Sequence, residues 1–231
     1  MMKRLQVLAD MVPSGLVTAD IGTDHAWLPV LLVKQHKAEK VYACDIRKGP
    51  LHQAAANIVT NHMKKEITLV LSNGFANVPQ DAQCAVIAGM GVHTIISILD
   101  ADADRTAQFA ILITEANDDP IAMRQWIAAK GYRITDERVV SENRHDYTAI
   151  AFVPAKTEVH YSQSDLVLGP ILSQHPDEEY TAYLKRRTHK LHHILSLRKD
   201  ESADTKKLQV EASIIDAFLQ DTNNKQQKAG A

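Results

Sequence analysis

Gly15-Leu16-Val17-Thr18-Ala19-Asp20-Ile21-Gly22-Thr23-Asp24-His25 decides the fold of this chain, together with Asp45, which closes the apolar run Val41-Tyr42-Ala43-Cys44. A short strand, a glycine turn, a helix and a second strand tipped with a carboxylate is how a parallel α/β sheet holds a nucleoside-bearing cofactor. Only Gly22 sits in the turn, so the Gly-x-Gly-x-x-Gly that closes the backbone on a pyrophosphate is missing. Asp20, Asp24 and Asp45 would put negative charge around the pocket. That charge repels phosphate, suits a cationic sulfonium and amino group, and can accept both hydroxyls of a ribose. S-adenosylmethionine fits such a pocket better than NAD. The competing reading is a plain strand-turn-helix in which Asp24 caps the helix that starts near Trp27-Leu28.

Working outward, apolar runs at 16–19, 41–44, 67–71, 85–88 and 109–113 read as strands. Helical patterns at 27–35, 51–63, 94–99 and 121–130 alternate with them, which predicts a parallel sheet. Upstream, Leu5, Leu8, Ala9 and Val12 share one face of a further helix, a lid or flank that ends at Pro13-Ser14-Gly15. After Gly131, segments 132–140 and 147–153 follow each other with no helix between them. A terminal antiparallel hairpin on a parallel sheet predicts the seven-stranded, mostly parallel sheet of Rossmann-like class I methyltransferases. This supports S-adenosylmethionine independently of the glycine turn.

A boundary is expected near Pro154, giving a cofactor-binding domain over 1–155 and a helical tail over 156–231. In the tail, Tyr180, Leu184, Leu191 and Leu195 form one stripe and Leu208, Ala212, Ile215 and Leu219 another, the pattern of a coiled-coil-like helical hairpin. The polar segment 221–231 is expected to fray. At 231 residues the chain has room for one sizeable domain and an appendage. With 45% hydrophobic and 23% charged residues it reads as a globular protein, and no apolar run is long enough for a membrane span. The opening Met1-Met2-Lys3-Arg4-Leu5-Gln6 lacks a secretory core, so a cytoplasmic location is expected. Cys44 and Cys84 lie in strand-like runs and read as core residues rather than a disulfide or metal pair. A net charge of -2 gives no global push toward nucleic acid, so any basic surface must be local.

With these residues laid out, the chain resembles the bacterial tRNA (adenine(22)-N1)-methyltransferase family, TrmK. The resemblance rests on Lys3-Arg4-Leu5-Gln6, Val12-Pro13-Ser14-Gly15, and Ala19-Asp20-Ile21-Gly22-Thr23-Asp24-His25-Ala26-Trp27-Leu28-Pro29. It continues through Gly49-Pro50-Leu51, Ile87-Ala88-Gly89-Met90-Gly91, Asn117 and Leu168-Gly169-Pro170, and so spans essentially the whole chain. It implies methylation of N1 of adenine 22 in the tRNA D-arm, with S-adenosylmethionine as cofactor, tRNA as partner, no metal, and a monomer or weak dimer. The cofactor site implied is Asp20, Gly22, Asp24, His25, Asp45 and Ile46, with Asn73 and Gly74 at the adenine edge and Ala88, Gly89 and Met90 beside the methionine moiety. Three positions depart from the family pattern. Asn73 stands where relatives tend to have aspartate. Val92 replaces a glycine and is expected to stiffen the turn and narrow the entrance. Glu115-Ala116-Asn117 replaces Gln-Pro-Asn.

Adenine N1 carries an in-plane lone pair and loses no proton on methylation, so the work is positioning and electrostatics. The Asp/Asn-Pro-Pro-aromatic motif of exocyclic amino methylation has Gly89-Met90-Gly91 in its place, which argues for a ring nitrogen. The product is cationic. Asp24 and Glu115 are therefore the candidate carboxylates, Asn117 the group that orients the base edge, and Tyr147 a platform for a flipped base. For Glu115 the plain alternative is a solvated carboxylate at a strand end. In the tail, Lys185, Arg186, Arg187, Lys190, Arg198 and Lys199 meet no acidic residue between them, and Arg186, Arg187 and Lys190 are the candidate RNA contacts. The rival readings are a methyltransferase acting on another RNA base, a noncatalytic S-adenosylmethionine- or tRNA-binding protein and, third, a nicotinamide oxidoreductase.

Overall fold

The computed structural model describes residues 2–198 and 200–229, the side chains of 226–229 excepted. It divides into two units, Met1–His160 and Tyr161–Ala231.

The first unit is built on β1 (Thr18–Ile21), β2 (Val41–Asp45), β3 (Ile67–Leu71), β4 (Cys84–Met90), β5 (Ile111–Ala116), β6 (Tyr132–Glu142) and β7 (His145–Pro154). These form one sheet in the order β3-β2-β1-β4-β5-β7-β6. The first five strands pair in parallel, and β7 runs antiparallel between β5 and β6. The order reverses between β1 and β4, and the carboxyl ends of strands beside such a switch point are where open α/β sheets bind ligands.

Helices α1 (Lys3–Met11), α2 (Trp27–Lys34), α3 (Lys48–Thr60), α4 (Val92–Ala101), α5 (Ala103–Gln108) and α6 (Pro120–Ala129) complete the unit. Both faces of β1 and β2 are covered, so all their residues are buried and the strands read as continuous apolar runs rather than alternating ones. Leu8 and Ala9 of α1, Leu28 and Leu32 of α2, and Val41 and Val86 of the sheet share one core cluster. Helix α1 is thus a packed flank, and its first backbone amide, on Lys3, donates to Glu142 Oε1 at the end of β6 (2.7 Å). On the hairpin side, Arg124 Nε of α6 donates to Glu137 Oε1 of β6 at 2.6 Å, and both side chains are buried. Removing one partner of such a pair would strand the other charge in the core, at a cost of about 3–5 kcal/mol.

Several expectations are corrected in ways that affect the site. Strand β1 starts and ends two positions later than its apolar run predicts, because Leu16 and Val17 are a lead-in whose Val17 carbonyl accepts from Gln83 and Cys84. Asp20 therefore lies inside the strand. Strand β5 is likewise displaced forward, so Glu115 is a fully buried strand residue and not a solvated strand-end carboxylate. Val92 does not narrow an entrance. It is the first residue of α4, 1% exposed, and packs inward. Helix α5, too short and polar to show a periodic stripe, has no counterpart in the sequence reading.

The second unit contains α7 (Gln163–Leu168), α8 (Glu178–Leu197) and α9 (Ala203–Ala229). A capping box between Ser162 and Asp165 starts α7, and Asp177 caps α8 by accepting from the Tyr180 amide. Tyr180, Leu184 and Leu191 of α8 and Ala212, Ile215 and Leu219 of α9 are buried, as the two stripes predict. Of the segment expected to fray, residues 221–229 continue α9, with an Asp221–Lys225 pair one turn apart. Gly230 and Ala231 lie outside the described residues, as does Lys199.

Candidate functional site

The carboxyl ends of β1, β2 and β4 frame the site. Gly22 takes φ +79, a conformation open to glycine, and its amide and that of Thr23 both donate to the Cys44 carbonyl (2.8 and 2.9 Å), tying the turn to β2. A Cβ on Gly22 would collide with the Met90 methyl, so the turn and the end of β4 approach as closely as a bare backbone allows. Gly89, at φ +75, adds a second backbone-only wall.

Asp20 and Asp45 are each 6% exposed. Loss of water raises the Asp20 carboxyl to about 6, the nearby Thr23 hydroxyl works in the opposite direction, and the Asp45 charge raises it further. Their shared neighbour Cys44 has its thiol pushed up by burial and then by both carboxylates. Two buried carboxylates at one strand-end crevice form a site that favours hydroxyl donors and cations over phosphate. Asp45 Oδ1 accepts from the Arg47 amide (2.9 Å), which fixes its rotamer. The next residue, Ile46, is 60% exposed, an apolar face beside a buried acid and suited to one side of a purine. Beyond β3, the Ser72 hydroxyl donates to the Gly74 carbonyl (2.8 Å) and accepts from the Asn77 amide (3.0 Å). That loop holds Gly74 at φ +56 and leaves Asn73 exposed.

Asp24 does not cap α2. The capping position belongs to Ala26, in the left-handed region and without a side-chain bond, while Asp24 is itself exposed at φ +49 with Oδ2 3.5 Å from His25 Nε2. Two consecutive-but-one residues at positive φ turn this loop outward, so the Asp24 carboxylate is held away from the amides that the competing reading has it cap. The Asn57 amide of α3 anchors the loop by donating to the His25 carbonyl (2.8 Å).

A second cluster lies one strand further on. Glu115 is the register partner of Ala88 in β4 and of Ala149 in β7. Arg4 of α1 reaches it, with Nε 2.9 Å from Glu115 Oε2, and the same guanidinium lies 5.0 Å from the centroid of the Tyr147 ring. Burial pushes the Glu115 carboxyl up to about 7, against the lowering effect of Arg4. Asn117 is exposed, and its amide donates to the Met90 carbonyl (2.9 Å), joining the loop after β5 to the end of β4. Asp118 then accepts from the Val92 amide (2.8 Å), capping α4.

Asp20, Gly22, Asp45, Ala88, Gly89 and Met90 are thus gathered at the ends of β1, β2 and β4, with Ile46, Asn73 and Gly74 on adjoining loops. Glu115, Asn117 and Tyr147 gather one step away at the ends of β5 and β7. Asp24 and His25 stand in the turn, on its outer side. Arg4 and Asp118 are absent from the residues inferred from sequence. Asp118 stands where a cap is needed, 26 positions ahead of its partner Val92 in number but adjacent through the β4–β5 pairing, and only that long-range pairing reveals it.

In the second unit Lys185, Arg186 and Lys190 are exposed, whereas Arg187 is half-buried with Nε 2.6 Å from Glu211 Oε1 of α9. Thr188 and His192 share Asp216 in the same way (2.7 and 2.8 Å). That face of α8 is spent on its partner helix. Among the described residues no group of three His, Cys, Asp or Glu could hold a metal ion, and no helix is long and apolar enough to cross a membrane.

The Methyltransferase domain family matches residues 1–150. The tRNA (adenine(22)-N(1))-methyltransferase of Bacillus subtilis is 30% identical over 210 residues, covering 88% of this chain and 87% of the relative. Among solved structures, the Streptococcus pneumoniae protein Sp1610 in complex with S-adenosyl-L-methionine superposes with a TM-score of 0.84 at 27% identity, over 95% of this chain and 100% of that one. TrmK of M. capricolum in complex with S-adenosyl-homocysteine gives 0.81 at 26% identity, over 95% and 98%.

Proposed function

The chain belongs to the tRNA (adenine(22)-N1)-methyltransferase family, and from that premise we propose how its own residues divide the work of methylating N1 of adenine 22 in tRNA. The observation that carries the reading is the pair of buried carboxylates, Asp20 and Asp45, beside a turn in which Gly22 and Met90 leave no room for a side chain. Such a crevice fits S-adenosylmethionine. Asp45 accepts the ribose hydroxyls, Ile46 covers one face of the adenine, and Asn73 and Gly74 meet its edge. Asp20 and the Ala88-Gly89-Met90 backbone hold the methionine moiety, with Asp24 and His25 at the rim.

S-adenosylmethionine supplies an electrophilic methyl on a sulfonium; the N1 lone pair forms the new bond, the C–S electron pair returns to sulfur, and no proton has to leave. The protein therefore needs no general base. It needs a base held in line with the methyl and negative charge near the cation that forms. Glu115 supplies that charge, Asn117 orients the base edge and Tyr147 offers a stacking face. The exposed cations of α8, Lys185, Arg186 and Lys190, supply phosphate contacts, while Arg187 serves the hairpin.

The test is incubation of the purified protein with unmodified adenine-22 tRNA and labelled S-adenosylmethionine, followed by mass spectrometry of the digested nucleosides and mapping of the modified position. N1-methyladenosine at position 22 is expected. Label in another nucleoside, or none despite cofactor and tRNA binding, contradicts the reading.

A further inference from the structure

The Arg4 side chain fills a seat with three walls. One is the Tyr147 ring, 5.0 Å from the guanidinium carbon. A second is Glu115, whose Oε2 lies 2.9 Å from Nε. The third is Gly89, where a Cβ would stand 2.9 Å from a terminal guanidinium nitrogen, so the seat exists because that position has no side chain. Glu115 is fully enclosed, yet neither of its oxygens receives a hydrogen bond among the described residues: the Arg4 contact is close but lacks hydrogen-bond alignment. A buried carboxylate left in this condition is poorly served by its present partner. Arg4, with a quarter of its side chain exposed, stands between it and solvent.

The occupant also has a definite chemistry. A guanidinium is a planar, delocalised cation with N–H donors along its edge, held by a π face and a carboxylate. N1-methylated adenine is the same kind of object, a flat cation whose exocyclic amino group donates from the edge next to N1. We propose that Arg4 is a placeholder for the target base: it occupies the adenine seat between Tyr147 and Glu115 in the free protein and is displaced when the base enters. This inference rests on the adenine-N1 reading above.

The consequence is selectivity for the charged state of the base. Neutral adenine must evict a cation and restores no charge opposite Glu115. As the methyl transfers, positive charge grows in the place Arg4 left, and the carboxylate and the ring bind it more tightly than they bound the neutral base. Interactions that strengthen along the reaction are the ones that accelerate it. Among the described residues Arg4 is the charged group paired with Glu115. Its strand neighbours are alanines, His93 of α4 is exposed, Asp100 is engaged by Trp126 and Lys130, and Arg124 of α6 is paired with Glu137.

The experiment compares the full chain, Arg4→Ala, and Arg4→Ala combined with Glu115→Gln, each saturated with S-adenosylhomocysteine. The dissociation constants of adenosine and of 1-methyladenosine are measured by calorimetry. Arg4→Ala is expected to bind 1-methyladenosine about tenfold more tightly than the unaltered chain and to prefer it to adenosine, a preference that Glu115→Gln abolishes. S-adenosylmethionine affinity is expected to stay constant across the set. If Arg4→Ala binds 1-methyladenosine no better than the unaltered chain, undetectable binding by both included, the proposal is overturned. Equal gains for both nucleosides overturn it too. Should the alanine variant fail to fold, Arg4→Gln, which keeps a hydrogen-bonding end and loses the charge, takes its place with the same expected direction. Methylation of tRNA by the unaltered chain is read separately, so failure of the placeholder and failure of the N1 reading are distinguishable.

Discussion

Met90 lays the end of its side chain where a Cβ on Gly22 would stand, so the turn after β1 and the end of β4 close on each other across the crevice. The obstruction is a flexible terminal methyl, which can swing away. The φ of +79 cannot be relieved in that way and costs an alanine about 1 kcal/mol. Gly22→Ala is therefore expected to fold, with Met90 pushed into the space meant for the methionine moiety. S-adenosylmethionine affinity by calorimetry should fall about tenfold or more. Adding Met90→Ala should recover part of the loss. Full affinity in the single variant would mean that the cofactor does not lie against this turn.

Asp20 is a liability to the fold that the site requires. Because burial raises its carboxyl from 3.8 to about 6, the native protein holds a proton that the unfolded chain has already released between about pH 4 and 6. The stability contributed by the protonated form is complete below pH 4 and is lost as the pH rises through 6. Asp20→Asn removes this penalty. It is expected to stabilise the cofactor-free protein by roughly 1–3 kcal/mol at pH 8 and by little at pH 4, while weakening S-adenosylmethionine binding. Denaturation midpoints at the two pH values check this, and a gain that does not widen with pH contradicts it.

The seven-stranded, mostly parallel sheet was legible because local signals carry it: buried parallel strands are short apolar runs and the closing hairpin has no helix between its strands, while the lone glycine between Asp20 and Asp24 lacks the spacing of a pyrophosphate loop. The second cluster was only half legible. Glu115 could be singled out by position, but the placement of β5 decided whether it was solvated, and two residues of slippage separate a surface carboxylate from a fully buried one. Arg4 is more than a hundred positions from both Glu115 and Tyr147, and no periodicity links them. In the tail, Arg187 and Lys190 share one face of a helix by spacing alone. Which of them turns to α9 is set by Glu211, on a helix whose register a single sequence does not reveal.

The Asp118 carboxylate is expected to matter to the cofactor without touching it. By accepting from the Val92 amide it satisfies one of the open donors at the start of α4 and pins the turn that carries Gly89, Met90 and Gly91. Asp118→Ala should cost about 1 kcal/mol of stability, as lost helix caps do, and raise the KM for S-adenosylmethionine several-fold with a smaller change in kcat. Asp118→Asn, which can still accept, should restore most of both. An unchanged KM in the alanine variant would show that the turn holds its shape without the cap.

Arg187 and Lys190 are expected to separate cleanly although both are cations of α8. Arg187 is bonded to Glu211, whose side chain is 10% exposed, so Arg187→Ala leaves a mostly buried carboxylate without its partner. It should lower the melting temperature of the tail, by the equivalent of about 1 kcal/mol after allowance for the exposed half of the pair, and change tRNA affinity little at temperatures where the hairpin is folded. Lys185→Ala combined with Lys190→Ala should do the reverse. Both lysines are exposed, so stability should hold, while tRNA affinity falls and its dependence on salt flattens by roughly one unit of log–log slope for each phosphate contact removed. S-adenosylmethionine binding should be unaffected in either variant. An unchanged salt slope in the double lysine variant would take this face of α8 out of the RNA interface.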